Sequence, residues 1–527
     1  MAKILRPTIP FLFVLLCFRL PAQTASPGLI PQPAQIEIQA GFIQLSEGLL
    51  FPENMPQEAK KAWSYLQYAA NFGQYRRTGK GKAAFRFVSD KKLHPDNYLL
   101  RCDSSGITLT ASSEKAFFYA CQTLNQLMVL HPSGKLPLFQ IDDRPAFSWR
   151  GLHLDVCRHF FSVAEVKKIL RVMSFYKLNV FHWHLTDDQG WRIEISSYPE
   201  LTRVGSRRKE TRVGHAASGP PIRDGIPHGG FYSKEDIRSV VAFADSLGIM
   251  VVPEIEMPGH AQAAIAAYPW LGVHGKNPGV WTDWGVSPHI LAPSDSVFQF
   301  LEAVLGEVIE LFPSGYIHIG GDEAIKDQWK SSPRIQKQIR DLGLKDEHEL
   351  QSWFIRRIEK FVNSKGRQII GWDEILEGGL APNAAVMSWR GETGGMEAAR
   401  LKHPVVMSPG SPLYFDHYQS KDMGTEPLAI GGLNTLEMVY QYHPVPEKLE
   451  EAARPYILGA QGNLWTEYIA DASQLEYMAF PRALALAEVC WTKKEKKNFP
   501  GFLKRLEDHR KILRNFGVQF KNWKSSE

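Results

Sequence analysis

The chain has 527 residues, more than one hydrophobic core usually supports, so we expect at least two domains. Its composition, with 44% hydrophobic and 22% charged residues, excludes a low-complexity or largely disordered protein. Cleavage after Ala22 would remove Lys3, Arg6 and Arg19 and no acids, so the formal net charge would fall from +5 to +2. A nearly neutral protein has no electrostatic basis for binding nucleic acid or an anionic membrane.

Residues 1–22 have the pattern of a secretory signal peptide. Lys3 and Arg6 precede a short apolar run, and small residues such as Ala22 follow it. The run is shorter than the roughly 18 residues that a membrane span needs. Cys17 would allow a lipid anchor, but a large leucine precedes it where a small residue is expected. We therefore expect a secreted or periplasmic protein, with the cell surface as an alternative and no stable membrane insertion.

Four cysteines would remain after cleavage, too few for a disulfide framework in so long a chain. A bridge between Cys102 and Cys121 is one alternative, and buried free thiols are the other. The remaining two are Cys157 and Cys490.

Residues 28–145 carry the pattern of a small α+β domain. Short strand patterns occur at residues 36–38, 84–88, 98–101 and 106–110, and a helical pattern covers residues 113–130.

From residue 146 to residue 495, short apolar strands alternate with amphipathic helices. Alternation predicts a parallel sheet, and eight repeats favour a (β/α)8 TIM barrel over a doubly wound open sheet. Residues 496–527 are expected to form a helical tail that packs on the barrel. The eight candidate strands cover residues 150–155, 179–185, 249–254, 316–319, 367–372, 384–389, 404–407 and 457–460.

The fourth candidate strand ends in the sequence HIGGDE at residues 318–323. The two glycines allow a sharp turn and a close approach to a ligand. Asp322 and Glu323 are two adjacent acids, which are costly to hold together unless they are solvated, paired or used. The alternative is that the pair simply opens the next helix at its positive dipole end.

Carboxylates and aromatic residues recur at the other strand ends as well, where a barrel places its active site. Tryptophans at three of these ends offer apolar faces that suit a pyranose ring, while carboxylates and an arginine bind its hydroxyls. The pattern therefore predicts a carbohydrate site. The tryptophans are Trp372, Trp389 and Trp465.

A metal site is a second interpretation of the same region. His182 and His184 project to one face of a strand, and Asp187 and Asp188 follow. Buried, hydrogen-bonded histidines explain this cluster as well, and no third ligand stands at a fixed spacing. We expect neither a metal nor another cofactor, and insensitivity to chelators would reject a metal-dependent hydrolase.

Glycoside cleavage usually needs two carboxylates, about 5 Å apart for retention of configuration and further apart for inversion. Neighbouring residues at a strand end point apart, so Asp322 and Glu323 fit this requirement poorly. The difficulty disappears if Glu323 protonates the leaving oxygen, Asp322 holds another part of the substrate, and the substrate supplies the nucleophile.

These blocks together resemble glycoside hydrolase family 20, the β-N-acetylhexosaminidases, over nearly the whole mature length. Besides HIGGDE, the matching blocks are RG at residues 150–151, HWHLTDDQGWR at 182–192, PEIEMPGH at 253–260, GWDE at 371–374 and NLWTE at 463–467.

The resemblance implies an exo-acting retaining enzyme that removes terminal β-linked N-acetylglucosamine or N-acetylgalactosamine from an oligosaccharide or glycoconjugate. Glu323 would be the general acid and then the base, with a pKa raised by apolar surroundings. Asp322 would accept the acetamido N–H, and Tyr414 would donate to the acetamido carbonyl oxygen. The acetamide would then attack the anomeric carbon and form an oxazolinium ion.

The resemblance also implies a set of binding residues around these three. Trp372, Trp389 and Trp465 would wall the pocket. The ring hydroxyls would be bound by Arg150, Glu467 and Asp416, and the acid would be oriented by Asp187 and His260.

One residue departs from the family pattern, because Glu256 stands where the family commonly has Asp, and we assign it no role. A carbohydrate-binding protein on a degenerate hydrolase scaffold is the alternative function. Loss of the acid pair would mark such a protein, and both Asp322 and Glu323 are present.

Overall fold

The computed structural model describes residues 28–45, 49–50, 54–68 and 83–523. The predicted signal peptide lies outside these ranges. Within them, no helix has the length and apolar character needed to cross a membrane.

The N-terminal part of the described chain forms a mixed six-stranded sheet. Helix Glu114–Leu130 covers one face, where Phe117, Leu124 and Leu127 are fully buried in the core. Helix Lys60–Tyr68 packs beside it after a short 3-10 turn at Gln57–Ala59. In spatial order the strands are Gln35–Gln44, Lys135–Asp143, Tyr98–Asp103, Gly106–Ala111, Ala83–Ser89 and Leu49–Leu50.

Eight parallel strands then close into a barrel, which confirms the predicted (β/α)8 fold and rules out the open sheet. The last strand pairs with the first, from Gly459 beside Trp149 to Gly462 beside Leu152. Barrel strands 1 to 8 are Trp149–Asp155, Val180–His184, Met250–Glu254, Tyr316–His318, Gln368–Trp372, Ala385–Ser388, Val405–Met407 and Ile457–Gly462.

Side chains alternate along each barrel strand, as the pleat requires. In strand 2, Phe181 and Trp183 pack into the outer layer of helices, whereas His182 and His184 lie inside the barrel. Apolar side chains fill the interior, among them Trp149, Val180, Val252, Ile370, Ala385, Met387 and Val406.

The outer helices begin at well-formed caps. Ser162 and Ser233 each form a capping box with the acid three residues later. The main helices are Val163–Phe175, Lys234–Ser246, Asp295–Leu311, Pro333–Asp341, Glu347–Ser364, Thr393–Arg400, Leu436–Gln441, Ala472–Ala479, Arg482–Trp491 and Phe499–Asn515. Helices Ala472–Ala479 and Arg482–Trp491 are separate, because Pro481 cannot donate the backbone hydrogen bond that would join them into one helix.

Short elements decorate the strand-to-helix loops. They include three two-stranded ribbons, of which Arg212–Val213 with Ile222–Arg223 lies in the long insertion after strand 2. The others are Thr186–Asp187 with Gly190–Trp191 and Arg207–Arg208 with His228–Gly229. Short helical segments occur at Glu200–Arg203, Gln262–Ala267, Pro269–Leu271, Asp327–Ser331, Asp373–Leu376, Gly410–Leu413, Met423–Thr425, Arg454–Tyr456 and Lys494–Lys496.

The last helix packs on the barrel and also reaches the start of the N-terminal domain. His509 Nδ1 lies 2.9 Å from the Tyr176 hydroxyl, and its Nε2 lies 2.7 Å from the Gly28 carbonyl oxygen. Phe502 packs against Tyr440, with ring centroids 4.8 Å apart.

Candidate active site

The carboxyl ends of the barrel strands surround a pocket of about 300 Å³. A larger, more apolar cleft of about 800 Å³ lies between the N-terminal domain and the outer helices. The strand-end carboxylates predicted to be functional line the smaller pocket, so we regard that one as the active site. Its polar and aromatic lining consists of Arg158, Asp187, Glu256, His260, Asp322, Glu323, Trp389, Tyr414, Asp416, His417, Trp465 and Glu467.

The turn after strand 4 separates the two adjacent acids. Gly320 and Gly321 have φ values of +65° and +93°, and a Cβ on Gly320 would lie 1.7 Å from Glu256 Oε2. Glycine is therefore required at position 320. The turn leaves the Asp322 side chain 10% exposed in the pocket and the Glu323 side chain 40% exposed at its mouth. One acid is thus buried and the other open.

His260 links both acids to Asp187. Its Nδ1 lies 3.1 Å from Asp187 Oδ1, and its Nε2 lies 3.6 Å from Asp322 Oδ2 and 3.5 Å from Glu323 Oε2. Burial alone would lower the pKa of His260, but the charges of Asp187 and Asp322 raise it well above its usual value. With Asp188 Oδ2 also 3.3 Å from its Nδ1, His260 is therefore a cation among four carboxylates.

This cation separates the pKa values of the two acids. Burial raises the pKa of Asp322 to about 6, despite the lowering effect of the His260 charge. Burial also acts to raise the pKa of Glu323, but the hydrogen bond and charge of His260 outweigh it, and the pKa is lowered. The predicted upward shift at Glu323 is wrong for this structure, because its neighbour is a buried cation rather than an apolar wall.

Arg158 is a pocket residue that the sequence reasoning missed. Its guanidinium contacts Asp187 Oδ2 at 2.9 Å and Asp155 Oδ2 at 3.3 Å, and lies 3.9 Å from Glu467 Oε1. It also stands over the Trp465 ring, 5.1 Å from the centroid. Its position three residues beyond the end of strand 1 was the signal that could have identified it.

Arg150, by contrast, lies far from the pocket, and its predicted contact with substrate hydroxyls is wrong. It is the second residue of strand 1, at the opposite end of the barrel. Its guanidinium donates to the carbonyl oxygens of Lys177 and Phe147 and to the Tyr119 hydroxyl at 2.6 Å. It therefore joins the barrel to the N-terminal domain.

The three predicted tryptophans converge, but at two depths. Trp389 and Trp465 line the pocket. Trp372 is buried beneath them, with its ring 5.7 Å from that of Trp465 and its Nε1 donating to Glu254 Oε1 at 2.8 Å. The Tyr414 ring lies nearly parallel to that of Trp389, at 13° and 6.1 Å. These rings form an apolar floor and wall.

Asp416 and Glu467 stand together on the wall beyond Tyr414. Burial and the Glu467 charge raise the pKa of Asp416 well above its usual value. Burial likewise raises the pKa of Glu467, although the Arg158 charge opposes this. Neither Asp416 oxygen has a hydrogen-bond partner among the described residues. A buried acid without partners at a pocket wall is available to bind a ligand hydroxyl.

Glu256 is a third acid beside Asp322. It is 3% exposed, and neither of its carboxylate oxygens has a hydrogen-bond partner in the described part of the chain. Burial, with the charges of Asp322 and Glu254, raises its pKa well above the usual value. Glu256 in the pocket lining therefore favours its neutral, protonated form, which the sequence did not indicate.

A layer of histidines lies beneath the pocket around Glu254. His184 places Nδ1 against Glu254 and Nε2 2.9 Å from Asp187, so both of its ring nitrogens have partners. His318 Nδ1 lies 2.9 Å from Glu254 Oε1. Several groups of three residues here bring their possible metal-ligating atoms within 4.8 Å of one another, among them His153, His182 and Glu254.

Two models of known protein families match this chain. A family model described as glycosyl hydrolase family 20, catalytic domain, matches residues 147–494. A second, described as glycosyl hydrolase family 20, domain 2, matches residues 26–144.

Relatives with assigned names are β-hexosaminidases. One from Porphyromonas gingivalis is 48% identical over 439 residues, which are 81% of this chain and 55% of that protein. One from Akkermansia muciniphila is 32% identical over 492 residues, which are 91% of this chain and 96% of that protein. The chain thus spans about half of the first relative and nearly all of the second.

Solved structures agree with these relatives. An exo-β-N-acetylglucosaminidase from Vibrio harveyi, in complex with N-acetylglucosamine, has 31% identity and a TM-score of 0.80, covering 95% of this chain and 79% of its own. A β-N-acetylhexosaminidase from Streptomyces coelicolor has 28% identity and a TM-score of 0.79, covering 95% and 98%. With an adjacent acid pair in its barrel pocket and both family models matched, this chain belongs to glycosyl hydrolase family 20 and is a glycoside hydrolase related to the β-hexosaminidases.

Proposed function

We propose that this enzyme is an exo-acting, retaining β-N-acetylhexosaminidase that uses the acetamido group of its substrate as the nucleophile. The separation of Asp322 and Glu323 carries this proposal. One acid is buried against the cation His260 and the other is open at the mouth, so the two side chains reach different parts of a bound sugar.

In the first step Glu323 donates its proton to the glycosidic oxygen as the bond to the anomeric carbon breaks. The acetamido oxygen attacks that carbon from the other face and forms an oxazolinium ion. Asp322 accepts the acetamido N–H and balances the developing positive charge. Water then attacks the anomeric carbon, Glu323 takes up its proton, and the acetamide is restored with retained configuration.

The remaining pocket residues would bind the sugar. Trp389 and Trp465 offer apolar surface to the acetamido methyl and the ring, Trp372 supports them from beneath, and Tyr414 donates to the acetamido oxygen. Arg158 takes the role in hydroxyl binding that Arg150 cannot, together with Asp416 and Glu467. The predicted signal peptide supports a secreted or periplasmic location.

A pair of aryl glycosides tests the proposal. We expect hydrolysis of an aryl N-acetyl-β-glucosaminide and little or none of the matching β-glucoside, because only the first carries the nucleophile. Proton NMR at early times should show the β-anomer of the released sugar. Equal cleavage of both substrates, or an inverted product, would reject substrate assistance. Binding of the sugar without turnover would instead favour a carbohydrate-binding protein.

Replacing Arg158 by lysine should lower activity, whereas replacing Arg150 by lysine should lower stability. Arg158→Lys removes the planar guanidinium between Asp187 and Glu467, and we expect kcat/KM to fall by about 10-fold to 100-fold. Arg150→Lys leaves buried carbonyl oxygens unpaired, which costs about 1–3 kcal/mol of unfolding free energy. Kinetics and thermal unfolding of both variants check this, and a pocket-like kinetic defect in Arg150→Lys would contradict the assignment.

The pH dependence of kcat/KM should follow one proton shared by Asp322 and Glu323. The productive form has Glu323 protonated and Asp322 ionised, so activity is lost when both are protonated and when both are ionised. We expect the basic limb near pH 6, where the pKa of Asp322 lies, and the acidic limb at the lowered pKa of Glu323.

Replacing Asp322 tests this interpretation of the profile. In Asp322→Asn, Glu323 titrates alone at its lowered pKa, so the basic limb of the residual activity should move to lower pH. The measurement is kcat/KM between about pH 4 and pH 8 for both proteins. A basic limb that stays near pH 6 in the variant would show that another group controls it.

A further inference from the structure

The pocket wall Trp389 is held by a buried acid that the mechanism above does not use. Trp389 Nε1 donates to Glu374 Oε2 at 2.9 Å. Glu374 is 8% exposed and lies on the short helix Asp373–Leu376 after strand 5, whereas Trp389 directly follows strand 6. The bond therefore ties together two neighbouring strand ends.

Other contacts fix the backbone beside this bond. Arg390 Nε donates to Asp373 Oδ1 at 2.7 Å, and its Nη1 donates to Glu377 Oε1 at 2.9 Å. The Ser388 hydroxyl lies 3.3 Å from Asp373 Oδ2. These contacts hold the chain on both sides of Trp389, whereas the bond from Glu374 acts on the indole ring itself.

The orientation of that ring matters to the rest of the pocket. The indole of Trp389 lies against the ring of Tyr414, at 13° between planes. The Tyr414 ring in turn lies 6.3 Å from that of Trp465. A rotation of Trp389 would therefore change both the width of the apolar wall and the support of Tyr414.

We propose that Glu374 is a positioning residue that orients Trp389, sets the size of the acyl pocket and makes the enzyme select an N-acetyl group over longer N-acyl groups. This inference rests on the proposed function, because it concerns the group that acts as nucleophile there.

The charge state of Glu374 tells which substitutions are informative. Burial, reinforced by the Asp322 charge, raises the pKa of Glu374 to about 8, so the carboxyl is neutral in mildly acidic solution. A neutral carboxyl still accepts the indole N–H through its carbonyl oxygen. Glutamine offers the same acceptor with nearly the same shape, whereas alanine removes it.

The test compares Glu374→Ala and Glu374→Gln with the wild type on aryl β-glucosaminides that carry N-acetyl, N-propionyl or N-butyryl groups. Because small misplacements in an active site are costly, Glu374→Ala should lower kcat/KM for the N-acetyl substrate by about 10-fold or more. It should also reduce the preference for acetyl over propionyl by about 10-fold. Glu374→Gln should keep that preference within about 3-fold of the wild type.

Two further variants separate positioning from general damage. Glu377→Ala removes an acid that contacts Arg390, and it should leave the acyl preference unchanged. Trp389→Phe removes the N–H donor and also shortens the wall, so in the Trp389→Phe background the further change Glu374→Ala should alter the acyl preference little, since the bond through which Glu374 acts is already absent.

The outcomes are distinguishable. Equal losses on all three acyl substrates in Glu374→Ala, an altered preference in Glu377→Ala, or additive effects with Trp389→Phe would each overturn the inference. A wild type that cleaves the plain glucoside as well as the N-acetyl substrate would overturn the proposed function itself. If the wild type prefers the N-acetyl substrate and Glu374→Ala keeps that preference, the role of Glu374 is refuted but the proposed function is not.

Discussion

Glu323→Gln should lower kcat for an oligosaccharide by about 10²-fold to 10⁴-fold, because it removes the proton that the leaving sugar oxygen needs. The glutamine amide keeps the size of the side chain and cannot donate an acidic proton. Glu323 is partly exposed at the mouth and contacts His260, so the change should leave the fold intact. Thermal unfolding of the variant checks that point.

The loss should depend on the leaving group. A dinitrophenyl glycoside leaves as a weakly basic anion and needs little help from an acid, so its kcat should fall far less than that of the oligosaccharide. Steady-state kinetics on a series of aryl glycosides measures how the loss in kcat depends on the basicity of the leaving group. Glu377→Gln is the matched control, since that acid lies outside the pocket lining and contacts Arg390. Uniform losses across the series would contradict a general-acid role for Glu323.

Asp322→Asn should lower kcat by about 10²-fold to 10³-fold, a loss typical of removing one electrostatic contact made in the transition state. The amide is the same size, but it carries no charge to balance the oxazolinium ion. Because Asp322 acts on the acetamide, the loss should be similar for good and poor leaving groups. If the loss of kcat in Asp322→Asn depended on the leaving group as strongly as the loss in Glu323→Gln, the two acids would not have the separate roles proposed here.

The same variant has a readout that is independent of activity. The pKa of Asp322 is raised in the folded protein, so the folded state favours the protonated acid and loses stability as the pH rises through about 6. Asparagine cannot ionise. The melting temperature of Asp322→Asn minus that of the wild type should therefore be larger at pH 7 than at low pH. Melting curves of both proteins at several pH values measure this difference.

Tryptophans and acids at strand ends were predictable from sequence because strand periodicity shows where each strand stops. That reasoning identified Asp322, Glu323, Trp389, Trp465 and Glu467, which all line the pocket.

The error over Arg150 shows the limit of this reasoning. Arg150 lies near the start of strand 1 and Arg158 follows its end, and the two ends of a seven-residue strand are roughly 20 Å apart. A sequence motif can therefore contain an arginine that lies at the wrong end of the barrel, and its position within the strand has to be considered before it is assigned to the pocket.

The pKa of Glu323 and the role of Glu374 were beyond the sequence for a different reason. His260 follows strand 3 and Glu323 follows strand 4, and their contact at 3.5 Å exists only because the closed barrel brings these ends together. The bond from Trp389 to Glu374 likewise joins the ends of strands 5 and 6. No pattern in the local sequence predicts such a contact between residues that are far apart in the chain.

The sequence by itself determined the barrel, the adjacent acid pair and the aromatic residues, since these depend on periodicity and on residue type at strand ends. The tertiary structure decided which arginine faces the pocket, which acids are neutral and what holds Trp389. Electrostatic energies vary with distance and burial, and both are set only when residues far apart in the chain are packed into one site.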